Sequence, residues 1–278
     1  MTENRERPVL SIEGLRMRFG GVDALLGVDF VTRPGTIMGI IGPNGAGKTT
    51  VFNLITGVYR PTEGSIKLGG RELVGLAPHR IAQLGLTRTF QTVRVFGAMT
   101  VLENVMIGRH PRTNSGFLAA LFKPPWERRE EKRIREDAMH ELDFVGLSDR
   151  WDQRCDTLPL GHLRLVEIAR AMATAPHYLL LDEPAAGLNS TETLSLAALF
   201  RKICERGVTP VVVDHDMDLV MDVCDRIMVL NYGGKIAEGA PREIQNNTEV
   251  IAAYLGEGAF EQRGPARPEA KSRDGATE

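Results

Sequence analysis

The feature that most restricts the fold of this chain is a glycine-rich segment at residues 42–50, which reads GPNGAGKTT. It matches the P-loop pattern G-x-x-x-x-G-K-[ST], with the strand-like run 37–41 before it and a helix-like run from Lys48 to about Thr56 after it. Glycine lets the backbone wrap closely around a polyphosphate, and the N-terminus of the following helix carries a partial positive charge. The segment therefore predicts a nucleoside triphosphate site on a strand–loop–helix unit.

Two side chains of this segment are predicted to act on the phosphates. Lys48 is expected to reach the β- and γ-phosphates, and the Thr49 hydroxyl is expected to ligate Mg²⁺. A glycine-rich turn without a ligand is the alternative, and the strand–loop–helix context argues against it. The predicted nucleotide-binding residues of the segment are Gly42, Pro43, Asn44, Gly45, Ala46, Gly47, Lys48, Thr49 and Thr50.

Composition limits the classes of protein to which this chain can belong. With 278 residues and a formal net charge of −2, it has room for one large or two small domains and lacks the basic balance of a nucleic-acid-binding protein. Its apolar runs fall well short of about 18 residues, so we expect no membrane span. The polar N-terminus, residues 1–8, does not resemble a secretory signal. Three widely spaced cysteines indicate buried thiols in a reducing compartment, so we expect a cytoplasmic protein.

The periodicity of the chain predicts three kinds of structure. Residues 9–33 alternate apolar and polar side chains, as in antiparallel strands, and residues 64–73 read as a hairpin. The fully apolar runs at 178–181 and 208–214 are typical of buried parallel strands. Residues 92–172 carry helical periodicity. The expected fold class is α/β: a P-loop NTPase core with a mainly parallel sheet, an antiparallel β subdomain and an inserted α-helical subdomain.

Polar side chains stand at the ends of the predicted parallel strands, where ligands bind in such sheets. A short strand is predicted at 86–91, ending in Gln91, which is expected to ligate Mg²⁺ or position a water. Asp182 is expected to hold Mg²⁺ through a water, and Glu183 to act as general base on the attacking water. His215 is expected to hydrogen-bond the γ-phosphate.

Each of these assignments has an alternative from the residues alone. The carboxylates at 182 and 183 also suit a cap on the following segment, and His215, between two aspartates, also suits a structural role. Phe19, near the predicted turn of the first hairpin, suits either stacking on a purine or packing in the core.

In this order along the chain, the motifs resemble those of the nucleotide-binding subunits of ATP-binding cassette (ABC) transporters. The P-loop, Gln91, the pair Asp182-Glu183 and His215 are similar to that family's Walker A, Q-loop, Walker B with catalytic glutamate, and switch histidine. The resemblance implies that Lys48, Gln91, Glu183 and His215 are catalytic, that Thr49, Gln91 and Asp182 serve the metal, and that Phe19 stacks on adenine.

A second implied site is the family's Leu-Ser-Gly-Gly-Gln signature, which contacts the ATP of a partner subunit. The matching residues here are Leu158, Pro159, Leu160, Gly161 and His162. Proline offers neither a hydroxyl nor an N–H, so this signature retains few donors for a phosphate. We therefore expect the composite site that it completes to hydrolyse ATP more slowly than its counterpart. Asn189 replaces the usual aspartate of the D-loop.

Further segments resemble the branched-chain amino-acid importer ATPases, among them 87–91, 102–105, 183–189, 239–241 and 253–256. The resemblance implies one ABC ATPase domain over 1–257, with the helical subdomain inserted at about 92–172. The tail at 258–278 is rich in Gly, Ala, Pro, Arg and Glu without periodicity, so we expect it to be disordered. The resemblance also implies ATP and Mg²⁺ as cofactors. The implied partners are transmembrane permease subunits, a second ATPase subunit in a homo- or heterodimer and, indirectly, a solute-binding protein, without nucleic acid, at the cytoplasmic face of the membrane.

The alternatives for function are an importer ATPase for urea, amides or another solute, and a soluble cassette ATPase outside transport. Two apolar segments, 95–99 and 117–122, are candidates for docking on the permease or for internal packing.

Overall fold

The computed structural model describes residues 7–89, 91–109 and 125–255. Its strands are β1 (Leu10–Phe19), β2 (Val22–Thr32), β3 (Met38–Ile41), β4 (Glu63–Leu68), β5 (Arg71–Glu72), β6 (Leu86–Arg88), β7 (Tyr178–Asp182), β8 (Thr209–Val213), β9 (Arg226–Asn231) and β10 (Gly234–Gly239). Its α-helices are α1 (Lys48–Ile55), α2 (Pro78–Gln83), α3 (Val101–Ile107), α4 (Pro125–Phe144), α5 (Leu160–Ala173), α6 (Ser190–Glu205), α7 (Met217–Val223), α8 (Pro241–Gln245) and α9 (Thr248–Leu255).

The strands form two sheets. Four of them pair antiparallel in the order β2-β1-β4-β5, which includes both predicted hairpins. The other six have the order β10-β9-β3-β8-β7-β6, in which all neighbours are parallel except β10 and β9. Every residue of β3, β7 and β8 is buried, as expected for strands covered on both faces. The predicted α/β class with a mainly parallel sheet and an antiparallel sheet is confirmed.

Strand β6 is shorter than the sequence predicted. It pairs with β7 only from Leu86 to Arg88, and Thr89 adds one further hydrogen bond to Leu180 O at 2.9 Å. The prediction that this strand ends in Gln91 was therefore wrong. The main-chain oxygen of Gln91 instead accepts a hydrogen bond from Arg164 of α5, so the chain leaves the edge of the sheet toward that helix.

Two apolar cores lie on opposite faces of the large sheet. The first joins the antiparallel sheet and α1 to one face, and the second joins α3, α4, α5 and α6 to the other. Tyr178 of β7 connects the two sheets. Its hydroxyl oxygen accepts a hydrogen bond from Leu10 N (3.1 Å), and the hydroxyl donates to Thr32 O (2.8 Å). Burial raises the pKa of this phenol to about 12, so it remains a donor at physiological pH.

Helices α3, α4 and α5 occupy the region where the sequence predicted a helical subdomain, and they pack on one another. Residues 117–122 and the tail at 258–278 lie outside the described residues. The three cysteines are free thiols, with Cys155 and Cys224 buried and Cys204 half-buried. Among the helices that the structure describes, each is too short or too polar to cross a membrane.

Candidate nucleotide-binding and hydrolysis site

The glycine-rich loop connects β3 to α1 and requires glycine at two positions. Gly42 has φ 151°, and a Cβ there would lie 2.1 Å from the main-chain oxygen of Leu230 in β9. Gly47, the N-cap of α1, has φ 105°, and a Cβ there would lie 2.9 Å from the main-chain oxygen of Ala24 in β2. Both sheets therefore press against the loop, and any side chain at these positions would force them apart.

The side chains of the loop present one cation and one hydroxyl. Lys48 is 9% exposed, and its Nζ donates to Gly42 O at 2.5 Å and to Pro43 O at 2.9 Å. The ammonium group thus lies against the main chain at the start of the loop, and Lys48 is the first residue of α1. Thr49, in the first turn of that helix, is exposed. This arrangement places a positive charge, a helix N-terminus and an accessible hydroxyl together, which suits a polyphosphate.

Asp182 ends β7 in a buried ion pair. Its Oδ2 accepts from Arg88 Nη2 at 2.6 Å, and the side chains of Arg88 and Asp182 are 8% and 2% exposed. Arg88 also donates to Asn53 Oδ1 at 2.6 Å and lies 5.4 Å from the centre of the Phe52 ring. The other carboxylate oxygen, Oδ1, is buried without a hydrogen-bond partner among the described residues.

The residues predicted to bind Mg²⁺ fit that ion. One oxygen of Asp182 is committed to Arg88, and the buried Oδ1 is still available for a metal-bound water. The hydroxyl of Thr49 is accessible. Mg²⁺ keeps several waters and takes few protein ligands, with substrate phosphates supplying others.

Three of the predicted strand-end residues come together around Glu183. Its Oε2 accepts from Gln91 Nε2 at 2.9 Å and lies 3.9 Å from His215 Nδ1. Glu183 has φ 46°, a left-handed conformation that is unusual outside glycine. The chain changes direction sharply here, after β7, and the Glu183 side chain is 21% exposed whereas Asp182 is buried. The strands that precede these groups, β6, β7 and β8, are neighbours in the sheet, and β3 with its phosphate loop lies beside β8.

Asp214, between β8 and His215, orders the turns around Glu183. It is 1% exposed, and it accepts hydrogen bonds from the main-chain nitrogens of Ala185 (3.1 Å), His215 (2.8 Å) and Asp216 (3.0 Å). Burial raises its pKa above the ordinary value for aspartate. Its carboxyl group thus ties the segment after Glu183 to the segment that carries His215.

Phe19 ends β1 with its ring partly exposed. Phe19 is 41% exposed, and its ring meets the Tyr59 ring edge-to-face, with the two ring centres 5.3 Å apart. The core-packing alternative does not fit this exposure. Further along the same hairpin, Met17 pairs with Leu25, which contacts the phosphate loop at Gly47. An exposed ring on this hairpin suits stacking on a base.

The signature segment and the D-loop segment of this chain pack on each other. Pro159 is the N-cap of α5, and its carbonyl accepts from Leu163 N at 3.1 Å. A Cβ on Gly161 would lie 2.5 Å from Glu192 Oε1, so a larger residue there would displace the Glu192 side chain. Leu160 is 42% exposed, and Nδ1 of His162 is buried without a partner among the described residues.

Asn189 has a structural role that the sequence comparison with the D-loop aspartate did not suggest. It is the N-cap of α6: its side chain accepts from Glu192 N, and the Glu192 carboxylate accepts from Asn189 N, both at 3.0 Å. This capping box satisfies two donors at the start of the helix, and asparagine performs it as well as aspartate.

Sequence reasoning missed three residues that organise the site: Arg88, Arg164 and Asp214. Arg88 had a visible signal, because a charged side chain inside a predicted strand of a buried sheet needs a partner. Arg164 and Asp214 had none, since an arginine on an amphipathic helix and an aspartate after a strand are usually exposed.

A phosphate loop after β3 and an acidic strand end on β7, in one parallel sheet with only β8 between the two strands, define a P-loop nucleoside triphosphatase. Comparison with known proteins narrows this class. The profile of the ABC transporter family matches residues 25–186, and that of the branched-chain amino acid ATP-binding cassette transporters matches residues 235–259. The chain belongs to the ABC transporter family and is an ABC-type, ATP-binding ATPase.

Curated relatives match along nearly their whole length. The chain is 49% identical over 252 residues to the high-affinity branched-chain amino acid transport ATP-binding protein BraF of Pseudomonas aeruginosa, covering 90% of this chain and 99% of that protein. It is 45% identical over 252 residues to LivG of Escherichia coli, a protein of the same description, with the same coverage of 90% and 99%.

Solved structures show the same fold. The ADP conformation of an ATP-binding cassette of an ABC transporter is similar with a TM-score of 0.79 and 32% identity, covering 90% of this chain and 99% of that one. A dimeric cassette in a post-hydrolysis state, bound to ADP and Pi, is similar with a TM-score of 0.70 and 25% identity, covering 84% and 99%.

Proposed function

We propose that this chain is the ATP-hydrolysing subunit of an importer for branched-chain amino acids, bound to the cytoplasmic face of the membrane through permease subunits. The observation that carries the proposal is the 49% identity that spans 99% of a curated branched-chain amino acid transport ATP-binding protein. The match of residues 235–259 to the corresponding transporter profile supports the same solute class.

The proposed nucleotide site is built from the loop and the first hairpin. The main-chain N–H groups of residues 42–50 hold the phosphates, Lys48 neutralises the β- and γ-phosphates, and the Phe19 ring stacks on adenine. To reach the phosphates, Lys48 exchanges its hydrogen bonds with Gly42 O and Pro43 O for phosphate oxygens. Thr49 is the proposed ligand from the loop for Mg²⁺.

The proposed hydrolytic residues surround Glu183. Its carboxylate accepts a proton from the attacking water, and Gln91, already hydrogen-bonded to it, orients that water or supplies an oxygen to the metal. His215, 66% exposed, is free to donate to the γ-phosphate. Asp182 would help to hold Mg²⁺ with Oδ1, since its other oxygen, Oδ2, accepts from Arg88. When bound, Mg²⁺ neutralises the charge on the β- and γ-phosphates.

The proposed assembly is a pair of ATPase subunits with permeases, served by a solute-binding protein. The dimeric cassette among the similar structures supports the pairing. Of the docking candidates at 95–99, Phe96 is 54% exposed whereas Val95 packs on the core, so the segment offers one aromatic side chain to a permease. The segment 117–122 lies outside the described residues.

Uptake tests the proposed function. We expect vesicles that contain the assembled transporter to accumulate labelled leucine when ATP is enclosed, and the Lys48→Ala variant to abolish uptake. Urea and short amides should not compete with leucine. Accumulation of urea in place of leucine would assign the chain to a related importer. Recovery of the tagged chain without any membrane partner would favour an ATPase outside transport.

The unusual signature leads to a second prediction. Each composite site joins one P-loop to the other subunit's signature, and Pro159 and Leu160 supply no side-chain donor to the γ-phosphate. The triple variant Pro159→Ser, Leu160→Gly, His162→Gln should raise the single-turnover hydrolysis rate at the site completed by this signature about tenfold or more, since one such donor is worth about 10²–10³ in rate.

The matched control for this variant is Leu194→Ala, which trims a leucine that is 68% exposed on the neighbouring α6. It should leave the single-turnover rate unchanged. An unchanged rate in the triple variant as well, with the subunit still folded and bound to its partners, would show that this signature already serves its site fully.

A further inference from the structure

Helix α5, which begins in the signature segment, carries a buried pair of opposite charges one turn apart. Arg164 and Glu167 are 6% and 2% exposed, and Arg164 Nη1 lies 3.8 Å from Glu167 Oε2. Arg170, one turn further, places Nη2 3.9 Å from Glu167 Oε1. Charges withdrawn from water to this extent need hydrogen bonds beyond the pair itself.

Those hydrogen bonds go to the segment that follows β6. Arg164 Nη2 donates to the main-chain oxygen of Gln91 at 2.9 Å. The carboxylate of Glu167 accepts from the main-chain nitrogen of Arg94 at 3.4 Å. Two adjacent turns of α5 therefore hold the backbone of residues 91–94 at both of its ends.

The side chain of Gln91 extends the connection to the hydrolytic site. Its Nε2 donates to Glu183 Oε2 at 2.9 Å, whereas its main-chain oxygen is held by Arg164. Gln91 itself is exposed and lies outside any regular element, so packing alone does not fix it. The orientation of Glu183 thus depends on a residue whose backbone is anchored to α5.

We propose that Arg164 and Glu167 are positioning residues for ATP hydrolysis, acting through Gln91 on Glu183. The buried pair holds the Gln91 backbone at the distance from which its amide reaches the general base. Because the same helix starts at the signature, a displacement of α5 is passed to the general base of this chain's own P-loop site. The proposal rests on the proposed ATPase roles of Gln91 and Glu183.

A double-mutant cycle on the full-length chain in its assembled transporter tests the proposal. Arg164→Met should lower kcat about 10- to 100-fold, with the Kd for ATP changed less than about threefold, because misplacing a reacting group by about 1 Å is enough for such a loss. Arg164→Lys, which keeps a donor for Gln91 O, should recover part of the rate. In the Gln91→Ala background, Arg164→Met should cause almost no further loss, since its path to Glu183 is already broken.

The matched control is Arg109→Met. Arg109 also ties α5 to its surroundings, through Ala173 O at 3.2 Å and a contact with Asp137, but at the opposite end of the helix from Gln91. It should lower the Tm as Arg164→Met does and leave kcat within about twofold. If the losses of kcat from Arg164→Met and Gln91→Ala multiply in the double variant, Arg164 does not act through Gln91. An equal fall of kcat in Arg109→Met would likewise mean that Arg164 only stabilises the fold. Absence of hydrolysis in the unmodified transporter would instead overturn the proposed function.

Discussion

Glu183→Gln is expected to lower the rate of ATP hydrolysis by about 10²–10⁴-fold, the usual contribution of a general base. The substitution is nearly isosteric and needs no change of backbone, so the left-handed turn at φ 46° is kept. The amide oxygen of the introduced glutamine can still accept from Gln91, but the side chain can no longer take a proton. Binding of ATP should change little, because the phosphate loop is untouched.

Two measurements on the assembled transporter check this expectation: steady-state release of phosphate, and the Kd for ATP. Glu63→Gln is the matched control, since Glu63 makes a solvent-exposed pair with Arg16 at 3.6 Å in the antiparallel sheet. It should keep the full rate. Retention of more than about a tenth of the rate in Glu183→Gln would assign the general base to another residue.

Arg88→Met is expected to destabilise the nucleotide-free protein by about 3–5 kcal/mol, because it leaves the carboxylate of Asp182 buried and unpaired. The pair has almost no exposure to water, at 8% and 2%, so solvent cannot compensate for the lost partner. The variant also removes the donor to Asn53 Oδ1. The free energy of unfolding by urea, measured without nucleotide, gives the size of the effect.

The companion variant Arg88→Met, Asp182→Leu removes both charges at once and should recover most of the lost stability, since an apolar pair of similar volume is often as stable as a buried ion pair. The control Glu63→Gln removes only the solvent-exposed pair with Arg16, so it should shift the free energy of unfolding by less than about 0.5 kcal/mol. A loss below about 1 kcal/mol in Arg88→Met would mean that water reaches the Asp182 carboxylate in the variant.

Much of the site was predictable because its motifs are local. The strand–loop–helix around Lys48, the parallel strands of the large sheet and the positions of Asp182 and Glu183 at the end of β7 all follow from apolar runs and glycine spacing. Where several strands are parallel, their carboxyl ends meet at one edge, so the sequence also predicted that Gln91, Glu183 and His215 would be neighbours. The structure places the second and third of these 3.9 Å apart.

The length of β6 was less predictable. An edge strand ends at the residue whose main chain forms its hydrogen bonds outside the sheet, and the sequence of the strand does not show where that occurs. The backbone after Thr89 leaves the sheet for Arg164, a residue 73 positions beyond Gln91 in sequence. The sequence of residues 86–91 does not indicate that Arg164 will bind the main chain of Gln91 in place of the neighbouring strand.

The sequence by itself determined the chemistry of this protein: glycine, lysine, threonine and carboxylate at spacings that only a phosphate loop and an acidic strand end require. Tertiary structure alone decided which groups hold those residues in place. Arg88 on Asp182, Asp214 on three main-chain nitrogens, and Arg164 on Gln91 are the contacts that do so, and most of them join segments distant in the chain. The physical reason is that a buried charge is tolerated only with partners of suitable geometry, and those partners are fixed by packing rather than by neighbours in sequence.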